Sequence, residues 1–400
     1  MTTTALPSAA HPGQKTAFAV IFAVAFCHLI NDVMQYLLAA IYPLLKADYG
    51  LDFVQIGLLS FTFQVTASLL QPVIGIYTDK RPLPYSLPVA AACSAVGLII
   101  LGLAQDYWLL LVGSAFIGLG SAIFHPESSR VARLASGGRH GLAQSTFQVG
   151  GNIGSALGPI LAAFVVLPRG QASVAWFAII SIVGMAVLSW VGRWYAAHLR
   201  DASKRPPANT ALPFDKRTTV IALLVLVMLT LSKHTYMAGL GNYFTFYTMD
   251  KFGVDVQMSQ LLLFVFLGAS ALGAFIGGPI GDRFGAKFVI WFSILGAVPF
   301  ALVLPYADFT WTVVLVLVIG VVLSSAFSAI VVFAQELMPG RIGMIAGIFF
   351  GFAFGMAGIA AALLGALADS HGLDFVFRVT SYLPLFGLLT VFLPEMKRRG

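Results

Sequence analysis

Two ionisable side chains stand where hydrocarbon is expected. Lys233 lies in the middle of the apolar stretch from Val220 to Thr248, and Asp32 in the middle of Phe18 to Leu45. Each stretch is long enough to cross a bilayer, where a charge costs roughly 2.5 to 3.5 kcal/mol even on a lenient insertion scale. Opposite charges kept at that depth, one in each half of the chain, read as working parts. A lysine ammonium can hold an anionic ligand as a point charge. A carboxyl in a cavity that opens alternately to two sides can load and release protons, which makes Asp32 the candidate proton carrier. The alternative for Asp32 is a permanent ion pair, for example with Lys233.

The neighbours of these residues repeat at helical spacing. His28, Asn31, Asp32 and Gln35 fall at i, i+3, i+4 and i+7 on one helical face. Gln64, Ser68 and Gln71 do the same, as do Gln144, Gln148, Asn152 and Ser155, and Lys233 is followed by Tyr236, Tyr243 and Tyr247. Ser121, His125 and Ser129 form a fifth stripe, with Pro126 placed to free a helix carbonyl. Single polar residues in membrane helices are often interhelical hydrogen-bond donors only, worth about 0.6 kcal/mol each. Five converging stripes point to a hydrated cavity, with His28, Gln35, Gln64, His125, Gln148, Asn152, Lys233 and Tyr236 as candidate ligand contacts. Histidines titrate near neutral pH and can relay protons or bind anions. Glu127 is a second candidate proton group, although its i, i+3 spacing to Arg130 equally permits a local pair. His28 and Asp32 are spaced as a metal-ligating pair, but spacing places no third ligand, so neither a metal nor another cofactor is expected. Cys27 and Cys93 fall inside apolar segments and read as packing residues.

The elements that must position these residues are membrane helices. Of 400 residues, 59% are hydrophobic and only 10% charged, too few charges for a soluble domain, which carries nearer 25%. The apolar residues come in long blocks rather than alternating ten-residue strands, which excludes an outer-membrane barrel. Charges, prolines and glycines divide the chain into twelve segments: 17–45, 53–77, 85–104, 107–129, 141–167, 173–195, 218–248, 257–280, 287–305, 311–334, 342–367 and 375–394. The expected organisation is a short tail (1–16) with no removed signal, a six-helix bundle (17–195), a polar linker (196–217), a second six-helix bundle (218–395) and a basic tail (396–400). Segments three, six, nine and twelve carry no interior Asn, Gln, His or acid and are expected to form a lipid-facing scaffold.

Net charge is +7, yet the basic residues are scattered over short loops, which argues for topology and against a nucleic-acid surface. With both termini cytoplasmic, 18 of the 23 Lys and Arg face that side, four face the other, and Lys233 is left inside. The positive-inside rule therefore predicts cytoplasmic termini. The halves also repeat. GIYTDKR (Gly75–Arg81) after segment two is matched by GPIGDRFGAK (Gly278–Lys287) after segment eight. HPE (His125–Glu127) followed by GGRHG is matched by AQE (Ala334–Glu336) followed by PGRIG. Parallel six-helix repeats place a ligand site at their interface near the midplane.

These motifs resemble the major facilitator superfamily over essentially the whole chain. Gly278–Lys287 carries that family's G-x-x-x-D-R-x-G-x-K loop signature, and Gly75–Arg81 is a degraded copy lacking the second glycine. GGNIGSALGP (Gly150–Pro159) is similar to the glycine–proline motif of its drug–proton antiporters. HLINDVMQ, AIYPLL, FHPESSRVARLASGGRHGLAQSTFQVGGN and AQELMPGRIGM resemble an antibiotic-resistance branch of the family. The resemblance implies an all-α membrane protein of two pseudo-symmetric six-helix bundles in a bacterial inner membrane. It implies a monomeric secondary transporter that exports a small anionic phosphonate in exchange for protons. Asp79 beside Lys80 and Asp282 beside Arg283 are expected to act as latches on the cytoplasmic side, with Arg130 a further gate residue. An uptake symporter for a small organic anion or sugar is the alternative. A membrane sensor or enzyme would need a soluble domain or a catalytic constellation, and neither H-E-x-x-H nor a nucleophile elbow is present. No phosphate-binding loop suggests ATP as an energy source.

Overall fold

The structure, a computed structural model, describes residues 16–203 and 211–396. The predicted N-terminal tail (all but Thr16), the middle of the polar linker and the basic residues Lys397–Gly400 lie outside the described residues.

Among the described residues, twelve helices are long and apolar enough to cross a membrane: α1 (Phe18–Ala40), α2 (Gln55–Lys80), α3 (Ser86–Leu103), α4 (Tyr107–Ala135), α5 (His140–Arg169), α6 (Gln171–Asp201), α7 (Lys216–Phe252), α8 (Leu261–Phe284), α9 (Ala286–Tyr306), α10 (Phe309–Leu337), α11 (Ile342–His371) and α12 (Leu373–Phe392). Each overlaps one of the twelve predicted segments, with ends that differ by up to six residues, as at Ala135 against 129 and Asp201 against 195. A short helix, Tyr42–Tyr49, follows α1.

Helix starts are written in aspartates that the periodicity analysis passes over. Asp52 opens α2 through a capping box: its carboxylate accepts the Gln55 N–H at 2.7 Å, and the Gln55 side chain accepts the Asp52 N–H at 3.0 Å. Asp106, Asp255 and Asp308 accept backbone N–H groups three residues on, at 2.9, 2.8 and 2.8 Å. Asp215 caps α7 outside the membrane, where hydrogen bonds from Thr218 hold its carboxyl below the usual range. Two of these caps follow a glycine in the left-handed region: Gly50 at φ 61° and Gly253 at φ 64° end one helix each, two residues before Asp52 and Asp255. The Gly-x-Asp corner is thus a third repeat shared by the two halves.

The described chain divides into two compact units. The first contains the described residues of Met1–Gly138 and Thr146–Ala211, together with Met338–Phe352; the second contains Arg139–Ser145, Leu212–Leu337 and the described residues of Ala353–Gly400. Each unit therefore takes one short segment from the other half of the sequence, the start of α11 in the first and the start of α5 in the second. These two segments hold the helix-start glycines Gly343 and Gly141.

The first unit packs its apolar core from Ile30, Met34 and Leu37 of α1, Leu98 and Leu101 of α3, Leu110 and Ile117 of α4, Val166 of α5 and Phe177 of α6. Gly97 and Gly113 let α3 and α4 approach until a Cβ on either would meet the other's backbone carbonyl or Leu101, a close approach of the kind small residues permit in membranes. Outward, large apolar side chains are exposed on the predicted scaffold helices: Leu103 of α3, Ile179 of α6, Phe292 of α9 and Val391 of α12, at 63, 65, 50 and 75%. Phe61 and Leu69 of α2 are equally exposed, so the apolar outer surface is not confined to those four helices. Such a surface is what a bilayer covers.

Candidate functional site

The α1 stripe turns inward within the first unit. His28, Asn31, Asp32 and Gln35 are all buried, with exposures from 0 to 6%. The amides of Asn31 and Gln35 each donate to Asp32 Oδ1 at 3.1 Å. His28 Nε2 lies 3.5 Å from Asp32 Oδ2, one helical turn away as i, i+4 spacing requires. His125 Nε2, from α4, lies 3.7 Å from Asp32 Oδ1. The far side of each ring is fixed: His28 Nδ1 sits 2.7 Å from the Phe147 carbonyl and His125 Nδ1 3.0 Å from the Ser121 carbonyl. A carbonyl oxygen only accepts, so each Nδ1 carries its hydrogen and each Nε2 presents a lone pair toward the carboxylate. Two lone pairs and an ionised carboxylate repel one another. The Asn31 and Gln35 amides offset part of this repulsion, and a proton or other cation among the three groups would remove the rest.

The glycine-rich face of α5 presses against it. A Cβ on Gly150 would meet the Ala25 carbonyl at 2.0 Å, and one on Gly154 the Leu29 carbonyl at 2.3 Å. A Cβ on Gly151 would lie 2.5 Å from His28 Nε2 and 2.8 Å from Asp32 Oδ2. The motif read from GGNIGSALGP is therefore a close-packing surface whose central glycine keeps the Asp32–His28 edge clear. Beyond Pro159 the helix loosens to π geometry over Ala162–Val166.

A second buried charge cluster stands in the same unit. Arg130, 1% exposed, donates to Asp79 at 2.6 Å and to the Thr78 hydroxyl at 3.0 Å, and forms an ion pair with Glu127 at 2.7 Å. Glu127 also accepts from the Ser86 hydroxyl at 3.3 Å. Glu127 thus stands with Arg130, whereas the partners of Asp32 are the two histidines. Asp79 accepts the N–H groups of Gly343 and Met344 at 2.9 and 2.8 Å, at the start of α11. The second unit repeats this arrangement: Asp282 accepts the N–H groups of Gly141 and Leu142 at 2.7 and 2.9 Å, at the start of α5. Each carboxylate meets the positive end of a helix dipole. The copies are unequal, because Pro339 stands three residues after Glu336 where Arg130 stands three after Glu127. Arg283 is exposed and lies over the Phe284 ring at 5.3 Å.

In the second unit, Lys233 is 6% exposed on α7 with its ammonium 5.3 Å from the Phe327 ring centre. Among the described residues no carboxylate lies at ion-pair distance from it. Tyr236, one turn on, is 2% exposed, and among the described residues its hydroxyl has no hydrogen-bond partner. His234 is bound back to the Thr230 carbonyl at 2.9 Å. The other predicted contacts, Gln64, Gln148 and Asn152, are half-buried in the first unit. The Gln148 carbonyl oxygen is buried with no partner among the described residues.

Geometry therefore gathers His28, Gln35 and His125 around Asp32, and Asp79, Glu127 and Arg130 around one guanidinium. It leaves Lys233 and Tyr236 with unused polar atoms. Sequence reading passed over the carbonyls of Phe147 and Ser121, which set the histidine rings, and the glycines Gly141 and Gly343, whose amides meet the two aspartates. The first pair carries no side-chain signal. The second was visible as the GGRHG and PGRIG repeats but without a partner.

The chain matches the Major Facilitator Superfamily over residues 24–349 and 229–400. It is 51% identical over 385 residues to the fosmidomycin resistance protein of Escherichia coli (strain K12), covering 96% of this chain and 95% of that protein. It is 42% identical over 390 residues to the uncharacterized MFS-type transporter YfnC of Bacillus subtilis (strain 168), covering 96 and 94%. The crystal structure of the E. coli fucose:proton symporter FucP superposes with a TM-score of 0.75 at 14% identity, covering 95% of this chain and 98% of that one. The human organic anion transporter MFSD10 superposes with a TM-score of 0.76 at 15% identity, covering 95 and 100%. Those two likenesses speak for the fold alone. With the matched profile, the half-identical relative and the twelve spanning helices together, the chain belongs to the major facilitator superfamily and is a multi-pass membrane transport protein.

Proposed function

We propose that this transporter exports fosmidomycin, a small phosphonate antibiotic bearing a hydroxamate, from a bacterial cytoplasm across the inner membrane in exchange for protons. The relative that is half identical along nearly its whole length bears that drug in its name. The observation that carries proton coupling is the Asp32 carboxylate, buried 3.5 and 3.7 Å from two imidazoles whose remaining nitrogens are already committed. A proton held between Asp32 and either ring removes the repulsion among them. Its departure restores that repulsion, so the cluster prefers different surroundings in its two protonation states, which is what alternating access needs. His28, Gln35, His125, Gln64, Gln148 and Asn152 would line the first unit's part of the route. Lys233 and Tyr236 would supply an ammonium and a hydroxyl to the phosphonate in the second. Asp79 and Asp282, each capping a helix start, act as latches, with Arg130 and Glu127 bracing the first and Arg283 beside the second. The excess of basic residues on one set of loops supports cytoplasmic termini. The protein would work as a monomer.

The test is fosmidomycin uptake into inside-out membrane vesicles under an imposed pH gradient, wild type beside Asp32→Asn. Gradient-driven accumulation lost in a correctly folded Asp32→Asn supports the reading. No wild-type accumulation, with the gradient intact, rejects it and turns attention to uptake of another organic anion or a sugar.

A further inference from the structure

Sequence spacing offered His28 and Asp32 as a metal-ligating pair without a third member. The fold supplies it from α4: one ligand atom each from His28, Asp32 and His125 lies within 4.8 Å of the other two. We propose that His28, Asp32 and His125 form a binding site for one divalent metal ion of the zinc, cobalt or nickel class.

Three independent features carry the proposal. The first is distance. Metal–ligand bonds of about 2.0–2.2 Å set donor atoms about 3.4 Å apart in a tetrahedral site; here Asp32 Oδ2 lies 3.5 Å from His28 Nε2 and Asp32 Oδ1 3.7 Å from His125 Nε2, and one donor from each residue lies within 4.8 Å of the other two, so a small inward shift closes the set. The second is the outer shell. Ligating histidines characteristically donate their other ring N–H to a carbonyl or carboxylate, which fixes the tautomer and aims the free nitrogen. His28 does so to Phe147 and His125 to Ser121, and the carboxylate is itself held by the Asn31 and Gln35 amides. The third is the number of converging donors. Three separate side chains aim donors at one place, and a cation of charge two satisfies all three, in competition with the proton proposed for Asp32. Gly151 keeps the His28–Asp32 edge free of a side chain. Two imidazoles and one carboxylate suit borderline metals rather than magnesium or calcium, which take oxygen ligands. Three protein ligands leave at least one coordination position for water or an anion.

The experiment is titration of the purified, tag-free full chain in detergent with Co²⁺, read as the intense visible absorption of low-coordinate cobalt. The expected result is one Co²⁺ per chain. The band is abolished in His125→Ala and in His28→Ala, and weakened at least about tenfold in affinity by Gly151→Ala, whose methyl would enter the site. His371→Ala, an exposed histidine, is expected to leave the band unchanged. Each variant is first shown to be helical and monodisperse, so loss of the band reports the site. Absence of a low-coordinate cobalt band from the wild type, or a band indifferent to His28 and His125, overturns the proposal and assigns the cluster to protons alone. Binding is read without drug or gradient, so its failure leaves the export reading standing, and failure of export leaves the metal site standing.

Discussion

Asp79 and Gly343 lie 264 positions apart, yet the Asp79 carboxylate accepts the Gly343 backbone N–H at 2.9 Å and the next N–H, of Met344, at 2.8 Å. Asp282 treats Gly141 and Leu142 the same way, 141 and 140 positions away. A duplicated sequence thus yields a duplicated device: an acidic residue in the last turn of one helix stoppering the start of another. Hydrogen bonds to a charged group contribute about 1.5–3 kcal/mol each. Asp79→Asn keeps the shape but loses the charge, and transport is expected to fall by about tenfold or more. Fosmidomycin flux at matched expression checks this, and wild-type flux in the variant would remove Asp79 from the transport cycle.

The approach at this lock is too close for any side chain. A Cβ on Gly343 would lie 2.0 Å from Arg130 Nη2, and one on Gly75 2.2 Å from the Gly343 carbonyl. Gly75→Ala must push backbone against backbone and is expected to lower the melting temperature in detergent by several degrees and to reduce flux. Gly57→Ala, with nothing within 4 Å of its Cβ, is the control and should melt as wild type.

Arg130 is a buried cation with two carboxylate partners, at 2.6 and 2.7 Å. Removing it leaves Asp79 and Glu127 facing each other without compensation, a change that typically costs about 3–5 kcal/mol. Arg130→Ala should therefore be poorly folded, seen as loss of the monodisperse peak on gel filtration. Glu127→Gln, which keeps the shape and an oxygen for the Ser86 hydroxyl and leaves Asp79 paired with Arg130, should fold and retain gradient-driven transport. Loss of proton coupling in a folded Glu127→Gln would return Glu127 to the proton pathway.

Lys233 holds its ammonium over an aromatic ring with no carboxylate at ion-pair distance among the described residues, a posture suited to an incoming anion. Lys233→Ala is expected to weaken apparent affinity for fosmidomycin by roughly tenfold to a hundredfold, the worth of one charged hydrogen bond. Tyr236→Phe should weaken it less. A concentration series of drug flux reads both, and an unchanged half-saturation in Lys233→Ala would place the phosphonate elsewhere.

Composition and block length alone determined the twelve helices, because a bilayer admits so few ways to satisfy a backbone that apolar length nearly dictates the element. The polar stripes on α1, α2, α4, α5 and α7 were equally legible, since helical periodicity is a local property. The aspartate caps are present in the sequence, but they stand outside the apolar blocks and carry no periodic signal of their own. Tertiary structure alone decided which stripe residues meet. His28 and Asp32 share a helix, so their i, i+4 contact follows from the sequence. His125 joins them only because α4 packs beside α1, and no spacing rule spans the 93 positions between Asp32 and His125. Glu127 and His125 are two residues apart, yet they serve different clusters because successive helical positions point about 100° apart and two positions reverse much of the face. The ring orientations depend on the carbonyls of Phe147 and Ser121, atoms that every residue carries. Backbone groups leave no mark in a sequence, so the part of the site they build exists only in the fold.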